Sequence, residues 1–321
     1  QNCNSIAVFA VTVCSVFCIN CVVVTYNRLN LLKENIQALK AQTFQLHTIF
    51  IIDNCSTDGT REFLDSLSND TQIKVIHLPE NKGGAWGFYE GIKQAVLAGC
   101  DYVWIMDDDT IPTNNALEEL VKGLSLSGHI GFVCSKVIWT DGNLHKMNGP
   151  NLILDPITKK TILRSNEQTS GLACESCSFV SVLFSAKTVQ EVGLPIKEFF
   201  IWADDLEYTS RIHLHRYDGF YIEKSMVVHK TAVNYGPKIQ TAPVETAWKF
   251  YYHARNMSYI NRSRKKNALV FYISLLNRYR IYLHRINKRP DSKEDKKKFK
   301  EAVKRGCKDA ITFKPTIEYL P

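Results

Sequence analysis

Residues 102–110 read YVWIMDDDT, an apolar run that leads directly into three consecutive carboxylates. A short apolar run bounded by polar residues is typical of a strand that is buried on both faces of a sheet. Three neighbouring carboxylates repel one another unless a cation lies between them. The stretch therefore predicts a buried strand that ends at a charged ligand site.

Three similar apolar runs precede this stretch, and each is followed by a segment with apolar residues at helical spacing. This alternation predicts a Rossmann-like α/β fold with a mostly parallel sheet flanked by helices, because parallel strands need helical crossovers. Ligands of such sheets bind at the carboxyl ends of the strands. The predicted strands are 21–25, 48–53, 73–78 and 102–106, and the predicted helices are 29–42, 60–67 and 87–98.

Beyond residue 110 the pattern is less regular, with a turn-rich segment at 143–168 and a helical pattern from 244 onward. The predicted elements here are helices 116–126 and 187–192 and strands 130–138, 179–185 and 221–229. We divide the chain into a leader at 1–20, a body at 21–243 with halves 21–110 and 111–243, and a basic helical extension at 244–321.

The 40 Lys and Arg residues outnumber the 32 Asp and Glu residues, for a formal net charge of +8, but the excess is local. Residues 261–308 contain 17 Lys or Arg and 4 Asp or Glu. This imbalance indicates an anionic partner for the extension only, such as nucleic acid, an anionic membrane surface or a phosphorylated lipid. A solvated charged helix is the alternative that needs no partner.

Residues 6–26 contain no charged side chain, which raises the question of a membrane span or signal peptide. With the strand at 21–25 set aside, residues 6–19 are too short to cross a bilayer. We interpret them as an extra strand or a leader and assign no function to residues 1–20.

Ten cysteines are scattered along the chain, unlike the dense pattern of a small secreted disulfide-rich domain. The scatter favours a reducing, cytoplasmic compartment. Cys174 and Cys177 could form a zinc site with Cys18 and Cys21, but small buried side chains are the favoured interpretation.

The aspartate run is the strongest chemical signal. Alternate residues of an extended segment point the same way, so Asp107 and Asp109 can share one ligand while Asp108 faces elsewhere. Carboxylate oxygens suit Mg²⁺ or Mn²⁺ bound to a diphosphate. His229, at the end of a predicted strand, would be a sensible further ligand, although a lone histidine is usually structural.

A second acidic group lies within aromatic residues, in the run FFIWADDLEY at 199–208. Aromatic faces and carboxylates together are typical of sugar sites, and such a carboxylate can take a proton from an acceptor hydroxyl. The alternative is a helix that begins with acids favoured by its dipole. In that case Arg211, one turn after Glu207, pairs with it.

A third segment, NKGGAWGF at 81–88, lies between a predicted strand and a predicted helix. Gly83 and Gly84 would let the backbone approach a phosphate or ribose closely. A tight turn explains these glycines equally well.

These segments together resemble glycosyltransferase family 2, a family of inverting enzymes with the GT-A fold, over about residues 21–261. The resemblance implies a nucleotide-binding half at 21–110 and an acceptor-binding half at 111–243. It implies that Asp53 reads a uracil or thymine base. The other implied donor contacts are Thr25, Tyr26, Arg28, Asn81, Gly83, Gly84, Asp107 and Asp108.

The order Asp204-Asp205-x-Glu207 after aromatic residues is similar to the galactofuranosyl- and rhamnosyltransferases of that family. The segment YYHARN at 251–256 also resembles this subset. The resemblance implies that Asp205 is the catalytic base. It further implies sugar or acceptor contacts from Trp202, Asp204 and Glu207, and a Mn²⁺ or Mg²⁺ site made of Asp107, Asp109 and His229.

The implied reaction transfers galactofuranose from its UDP donor, or rhamnose from its dTDP donor, to a growing cell-surface glycan. A polyprenyl-linked acceptor at the inner membrane face would agree with the basic extension. A sugar nucleotidyltransferase is a remote alternative, because residues 25–28 lack the glycine-rich loop that it would need. A non-catalytic glycan- or nucleic-acid-binding protein is another, but we expect no nucleic acid, since the aspartates would repel phosphate.

Overall fold

The computed structural model describes residues 17–234, 236, 238–265 and 267–321. Residues 1–16 of the predicted leader therefore lie outside the described residues. The described strands are β1 (Ile19–Thr25), β2 (Thr48–Asp53), β3 (Ile73–His77), β4 (Tyr102–Asp107), β5 (Thr110–Pro112), β6 (Ile130–Ile138), β7 (Asn151–Leu152), β8 (Leu163–Ser165), β9 (Ser170–Ser176), β10 (Val182–Ser185) and β11 (Asp218–His229). The described α-helices are α1 (Leu29–Lys40), α2 (Thr60–Ser66), α3 (Gly84–Leu97), α4 (Ala116–Gly123), α5 (Ala186–Val192), α6 (Asp204–Leu214), α7 (Lys249–Ser263), α8 (Ala268–Asn287) and α9 (Lys293–Asp309).

One sheet runs through the body in the order β3-β2-β1-β4-β10-β6-β11-β9-β7. The strands β1 to β4 are parallel, which confirms the predicted Rossmann-like arrangement of strands and helices. Their register aligns the strand ends, because Thr25 lies opposite Asp53 and Val24 lies opposite Asp107. The polar residues that follow these strands therefore meet at one edge of the sheet.

The second half of the sheet is mixed. β10 runs antiparallel to both β4 and β6, whereas β11 runs parallel to β6. The short strand β5 turns back from the aspartate run and pairs with the end of β11, which places Thr110 opposite His229. This pairing brings His229 to the aspartate run across about 120 residues of sequence.

Helices cover both faces of the sheet, which explains the continuously apolar strands. On one face α3 lies against β1 and β2, and on the other α1 and α4 cover the same sheet. Helix α3 lies very close to β1. A Cβ on Gly87 would lie 2.5 Å from Val24 Cγ1, and a Cβ on Gly91 would lie 2.2 Å from Val22 Cγ1. The helix begins at Gly84, three residues before its predicted start.

The C-terminal helices form a separate apolar cluster that joins the body near the second acidic group. Phe250 of α7 packs against Phe299 of α9, and Trp202 packs against Phe250. No helix of the described residues is long and apolar enough to cross a membrane.

The cysteines of the described chain are unpaired. Cys174 and Cys177 lie in the core on one face of the sheet, whereas Cys21 lies in the core on the other face. The zinc site considered from the sequence is therefore not assembled, and these cysteines are small buried side chains.

Candidate active site

Three of the predicted ligand residues converge at the carboxyl edge of the sheet. One ligand atom from each of Asp107, Asp109 and His229 lies within 4.8 Å of the other two. We call these three residues the metal-ligand cluster. Asp109 and His229 are buried, and Asp107 is partly exposed, so the cluster opens to solvent on one side.

The immediate surroundings of His229 favour metal binding. Its Nε2 lies 3.0 Å from Asp109 Oδ1, while its Nδ1 lies 2.8 Å from Asn148 Oδ1. Since the amide oxygen of Asn148 can only accept, Nδ1 donates to it, and Nε2 is the nitrogen that faces the cluster and would ligate a bound cation. An imidazole whose other nitrogen donates to a fixed oxygen is typical of metal-bound histidines. Sequence reasoning missed Asn148, which lies in the turn-rich segment and has no local signal.

The donor set fits Mn²⁺ or Mg²⁺. Two carboxylates and one imidazole with an open side suit a hard or borderline divalent cation that also binds phosphate oxygens. Asp109 Oδ1 is buried without a directed hydrogen bond, although His229 is near. Burial, followed by the charges of Asp109 and Asp108, raises the pKa of Asp107 well above its usual value. A cation here would bind the unpaired Asp109 oxygen and offset the repulsion between the aspartate charges.

Asp108 faces away from this cluster, as the sequence predicts. It accepts a hydrogen bond from Thr25 Oγ1 at 2.7 Å and one from the Tyr26 amide at 3.3 Å. Arg28 lies between the aspartates, 3.3 Å from Asp108 Oδ1 and in contact with Asp109. Asp108 thus ties the loop after β1 to the aspartate run, and burial raises its pKa to about 6.

The pKa of Asp109 is shifted in the opposite direction from the pKa values of Asp107 and Asp108. Burial opposes its ionisation, but His229 and Arg28 more than compensate, and the pKa of Asp109 is lowered. The cluster therefore combines an ionised Asp109 with an Asp107 that resists ionisation. Binding of a divalent cation would release a proton from such a site.

Asp53 is fully buried at the end of β2. Its Oδ1 accepts from the Ser56 amide at 2.9 Å, and its Oδ2 lies 2.8 Å from His77 Nδ1. The His77 Nε2 atom in turn lies 3.1 Å from Asp65 Oδ1. Each oxygen of Asp53 keeps a second acceptor site, and base recognition by Asp53 stays a prediction.

The glycine segment before α3 borders the second acidic group. Asn81 Oδ1 accepts from the Gly83 amide at 2.8 Å. Gly83 has a positive φ of 86°, and a Cβ there would lie 2.2 Å from the Phe200 carbonyl oxygen, so only glycine fits. Gly84 has open space around its Cα. Contact of Asn81, Gly83 and Gly84 with the donor stays a prediction.

Asp204 and Asp205, which we call the acid pair, are the first two residues of α6. Asp204 is buried and Asp205 is partly exposed. Burial, followed by the charge of Asp205, raises the pKa of Asp204 to about 7, and burial raises the pKa of Asp205 to about 6. The charge of Asp204 acts on Asp107, whereas that of Asp205 acts on Cys177. The two carboxylates therefore face different surroundings.

Glu207 is engaged by Arg211. The guanidinium binds both carboxylate oxygens, with Nε at 3.0 Å from Oε1 and Nη2 at 3.1 Å from Oε2. Arg211 also donates to the Leu194 carbonyl at 2.9 Å and to the Val192 carbonyl. The alternative considered from the sequence, an ion pair within α6, is thus formed, and a contact of Glu207 with sugar hydroxyls stays a prediction.

An aromatic surface lies beside the acid pair. Phe200 stacks on Tyr252 with ring centroids 4.7 Å apart, and Trp248 meets both rings edge to face. Lys249 Nζ lies 5.8 Å from the Trp202 ring centroid, and its pKa is lowered by burial and then by Arg28. Sequence reasoning assigned Trp202 but missed Trp248 and Lys249, whose proximity depends on how α7 packs.

The family model described as glycosyl transferase family 2 matches residues 21–186. That segment is more than half of the chain and contains β1 to β4, the aspartate run and the glycine segment. The chain belongs to glycosyl transferase family 2. The acid pair and His229 lie C-terminal to the matched segment, so their placement comes from the structure.

Two curated relatives of this chain are named for carbohydrate transfer or synthesis. The galactofuranosyltransferase GlfT1 of Mycolicibacterium smegmatis is 25% identical over 203 residues, which cover 60% of this chain and 64% of the relative. The poly-beta-1,6-N-acetyl-D-glucosamine synthase of Staphylococcus aureus (strain MSSA476) is 24% identical over 196 residues, 60% of this chain and 45% of the relative. The match thus spans less than two thirds of the length of either relative.

Two solved glycosyltransferase structures share the fold of this chain. The structure of GalNAc-T7 with UDP, GalNAc and Mn²⁺ has a TM-score of 0.57 at 16% identity, over 79% of this chain and 52% of that one. The mannosyltransferase PcManGT of Pyrobaculum calidifontis, in complex with GDP-Man and Mn²⁺, has a TM-score of 0.52 at 16% identity, over 92% and 74%. These likenesses confirm the predicted GT-A fold.

Proposed function

We propose that this chain is an inverting, metal-dependent glycosyltransferase that moves a sugar from a nucleotide-sugar donor to a hydroxyl of a glycan. The observation that carries the proposal is the meeting of two different acidic sites at one edge of the sheet. The metal-ligand cluster has the geometry of a cation site. The segment that leads into the acid pair packs on the start of α3, where the Ala85 amide donates to the Phe200 carbonyl at 3.2 Å, and the charge of Asp204 contributes to the raised pKa of Asp107.

The cluster and its neighbours would receive the nucleoside diphosphate. Asp107, Asp109 and His229 would hold the Mn²⁺ or Mg²⁺, whose charge stabilises the leaving diphosphate. Arg28, fixed between Asp108 and Asp109, adds a permanent positive charge beside it. The loop after β1 and the glycine segment would contact the nucleoside, with Asp53 at the base.

The acid pair would act on the acceptor. Asp205 Oδ1 already accepts from the Leu206 amide at 2.7 Å, so its other oxygen is available to take the acceptor proton. As that proton moves to Asp205, the acceptor oxygen bonds to the anomeric carbon and the bond to the diphosphate breaks on the opposite face. The pKa of about 6 leaves Asp205 ionised at neutral pH, as a general base must be.

Galactofuranose from UDP-galactofuranose is the proposed sugar, and rhamnose from dTDP-rhamnose is the alternative. The order of acids and aromatics in residues 199–208 and the similarity to GlfT1 support the first. Asp53 does not discriminate, because uracil and thymine present the same hydrogen-bonding edge to it.

Calorimetric titration with UDP-galactofuranose, dTDP-rhamnose, UDP-N-acetylglucosamine and UDP, each with and without Mn²⁺, tests the proposal. We expect UDP-galactofuranose to bind in a Mn²⁺-dependent manner and Asp109→Asn to abolish that dependence. Asp141→Asn, at an exposed aspartate in the turn that follows β6, is the control. Binding of no nucleotide under any condition would overturn the proposed function, and preference for another donor would replace the proposed sugar.

We also propose that the extension docks on an anionic membrane surface, where a polyprenyl-linked acceptor would lie. The side of α8 opposite its buried residues is apolar in the first half, with Leu269, Ile273 and Leu276 exposed by 67%, 61% and 52%. Arg280 continues this side, and Lys288 follows the end of α8 on the way to the basic helix α9. An exposed apolar stripe beside clustered cations is typical of a helix that lies in a membrane interface.

Co-sedimentation with phosphatidylglycerol vesicles tests this docking against phosphatidylcholine vesicles. We expect binding to the anionic vesicles only, weakened at high salt and lost in Ile273→Glu. Ile157→Glu is the matched control, because Ile157 is 88% exposed in a turn of the body. Equal binding of Ile273→Glu, or self-association that this substitution abolishes without any vesicle binding, would overturn the proposal.

A further inference from the structure

The loop that leads into the acid pair has an unusual backbone. We call residues 198–203 the acid-pair loop. Phe200, Trp202 and Ala203 have positive φ angles of 67°, 64° and 68°. Residues with a Cβ rarely adopt this left-handed conformation, and three of them within four residues persist only if the surroundings hold them there.

One side chain holds most of this loop. Asn256 of α7 is fully buried, and its Nδ2 lies 3.0, 3.3 and 2.8 Å from the carbonyl oxygens of Phe199, Ile201 and Trp202. Its Oδ1 accepts from Arg255 Nε at 3.0 Å. Because Arg255 can only donate, the amide of Asn256 is fixed with its nitrogen toward the loop.

Arg255 and the start of α3 hold the remaining carbonyls. Arg255 Nη2 donates to Glu198 at 2.6 Å, and its guanidinium lies 4.0 Å from the ring centroid of Phe313. The Ala85 amide donates to the Phe200 carbonyl at 3.2 Å. Every carbonyl from 198 to 202 therefore accepts a hydrogen bond. Most donors come from α7 and one is the Ala85 amide, while the Ile201 amide adds a bond within the loop to the Phe199 carbonyl at 2.8 Å.

The loop ends where the chemistry of the proposed function begins. Ala203 immediately precedes α6, and its carbonyl accepts the first hydrogen bond of that helix, from Glu207. The direction in which Asp204 and Asp205 leave the backbone is thus set by the φ angles of Trp202 and Ala203. A shift of these atoms by about 1 Å is enough to cost on the order of 100-fold in rate.

We propose that Asn256, oriented by Arg255, is a positioning residue that keeps the acid-pair loop in its left-handed conformation and so aims the acid pair at the acceptor. This inference rests on the proposed function for its effect on rate, but its effect on the loop is independent of it. Asn256 touches neither the metal-ligand cluster nor the acid pair, so its role is confined to the backbone that carries the two aspartates.

Asn256→Asp tests the proposal, since it keeps the size of the side chain but replaces the donor with an acceptor that faces three carbonyls. Asn20→Asp is the matched control, because Asn20 is equally buried and donates its amide to the Ala95 carbonyl at 2.8 Å, away from the acid-pair loop. We expect Asn256→Asp to lower kcat by on the order of 100-fold while the KM for donor and the Mn²⁺-dependent binding of UDP stay within about twofold. In the profile of kcat against pH, the fall on the acidic side should also occur at a different pH than in the wild type.

Hydrogen–deuterium exchange of residues 199–207 separates the role of Asn256 in holding the loop from its effect on sugar transfer. We expect faster exchange there in Asn256→Asp and unchanged exchange in Asn20→Asp. If the wild type transfers no sugar but this segment still loses protection, the proposed function fails and the role in the loop stands. Unchanged exchange and kcat in Asn256→Asp, or an equal loss of kcat in Asn20→Asp at the same thermal stability, would overturn the inference.

Discussion

The metal-ligand cluster and the acid pair use the same side chain in two different structural settings. Asp107 ends β4 and Asp109 lies two residues beyond it, so the position of this inner strand in the sheet places both residues. Asp204 and Asp205 follow a left-handed loop that a helix some 50 residues away holds in place. The first arrangement is fixed by the main chain and the second by buried side chains, so substitutions should affect them differently.

The largest expected effect comes from removing the base. Asp205→Asn should lower kcat by about 10²–10⁴-fold, the usual contribution of a general base, and leave Mn²⁺-dependent UDP binding intact. Steady-state kinetics and calorimetry on the same preparation would show the split. Asp204→Asn is the informative comparison, because its charge acts on Asp107: if it proves more damaging to kcat than Asp205→Asn, the base would be reassigned.

A smaller effect is expected at Asn148, which contacts His229 and not the ligand side of the cluster. Asn148→Ala removes the acceptor that fixes the Nδ1 proton of His229, and such changes typically weaken metal affinity or activity by about 10–100-fold. Titration of activity with Mn²⁺ should show a higher half-saturating concentration at a preserved kcat. Asn143→Ala, in the exposed turn before it, should behave as wild type. A loss of kcat that excess metal does not restore would contradict this role.

The pH dependence separates the two regions further. As pH falls through about 6, Asp205 gains a proton and kcat should fall about tenfold per pH unit. Stability should move the other way: the raised pKa values mean that the folded state binds more protons than the unfolded chain between about pH 4 and 7, so the acid pair lowers stability as pH rises. In denaturant titrations over this pH range, the free energy of unfolding of Asp205→Asn should depend less on pH than that of the wild type. An unchanged pH dependence would contradict this prediction.

The smallest effect on catalysis is expected from the sheet-helix contact. In Gly91→Ala the new Cβ would meet Val22 Cγ1 at 2.2 Å, so α3 must move. Overpacking of this kind costs roughly 1–3 kcal/mol, against a gain in helix propensity of about 1 kcal/mol. We expect the free energy of unfolding to fall by up to about 2 kcal/mol with kcat nearly unchanged. Gly128→Ala has open space and should be neutral; an equal loss there would contradict the explanation.

Local sequence patterns determined the regular part of this molecule. Apolar periodicity predicted the four parallel strands to within two residues at either end and the three helices between them to within three, and the run of aspartates at 107–109 predicted a ligand site at the end of β4. These features follow from interactions between residues near one another in sequence, and alternation along an extended segment also separated Asp108 from its neighbours.

Only the tertiary structure decided what completes each site. The pairing of β5 with β11 brings His229 to the aspartates, and the packing of α7 brings Asn256 to the acid-pair loop. Asn148 and Lys249 have no distinguishing neighbours along the chain, and the YYHARN segment at 251–256 marks a resemblance but assigns no role to Asn256. Their roles arise from contacts between distant segments, whose hydrogen bonds have a direction that hydrophobic periodicity does not encode.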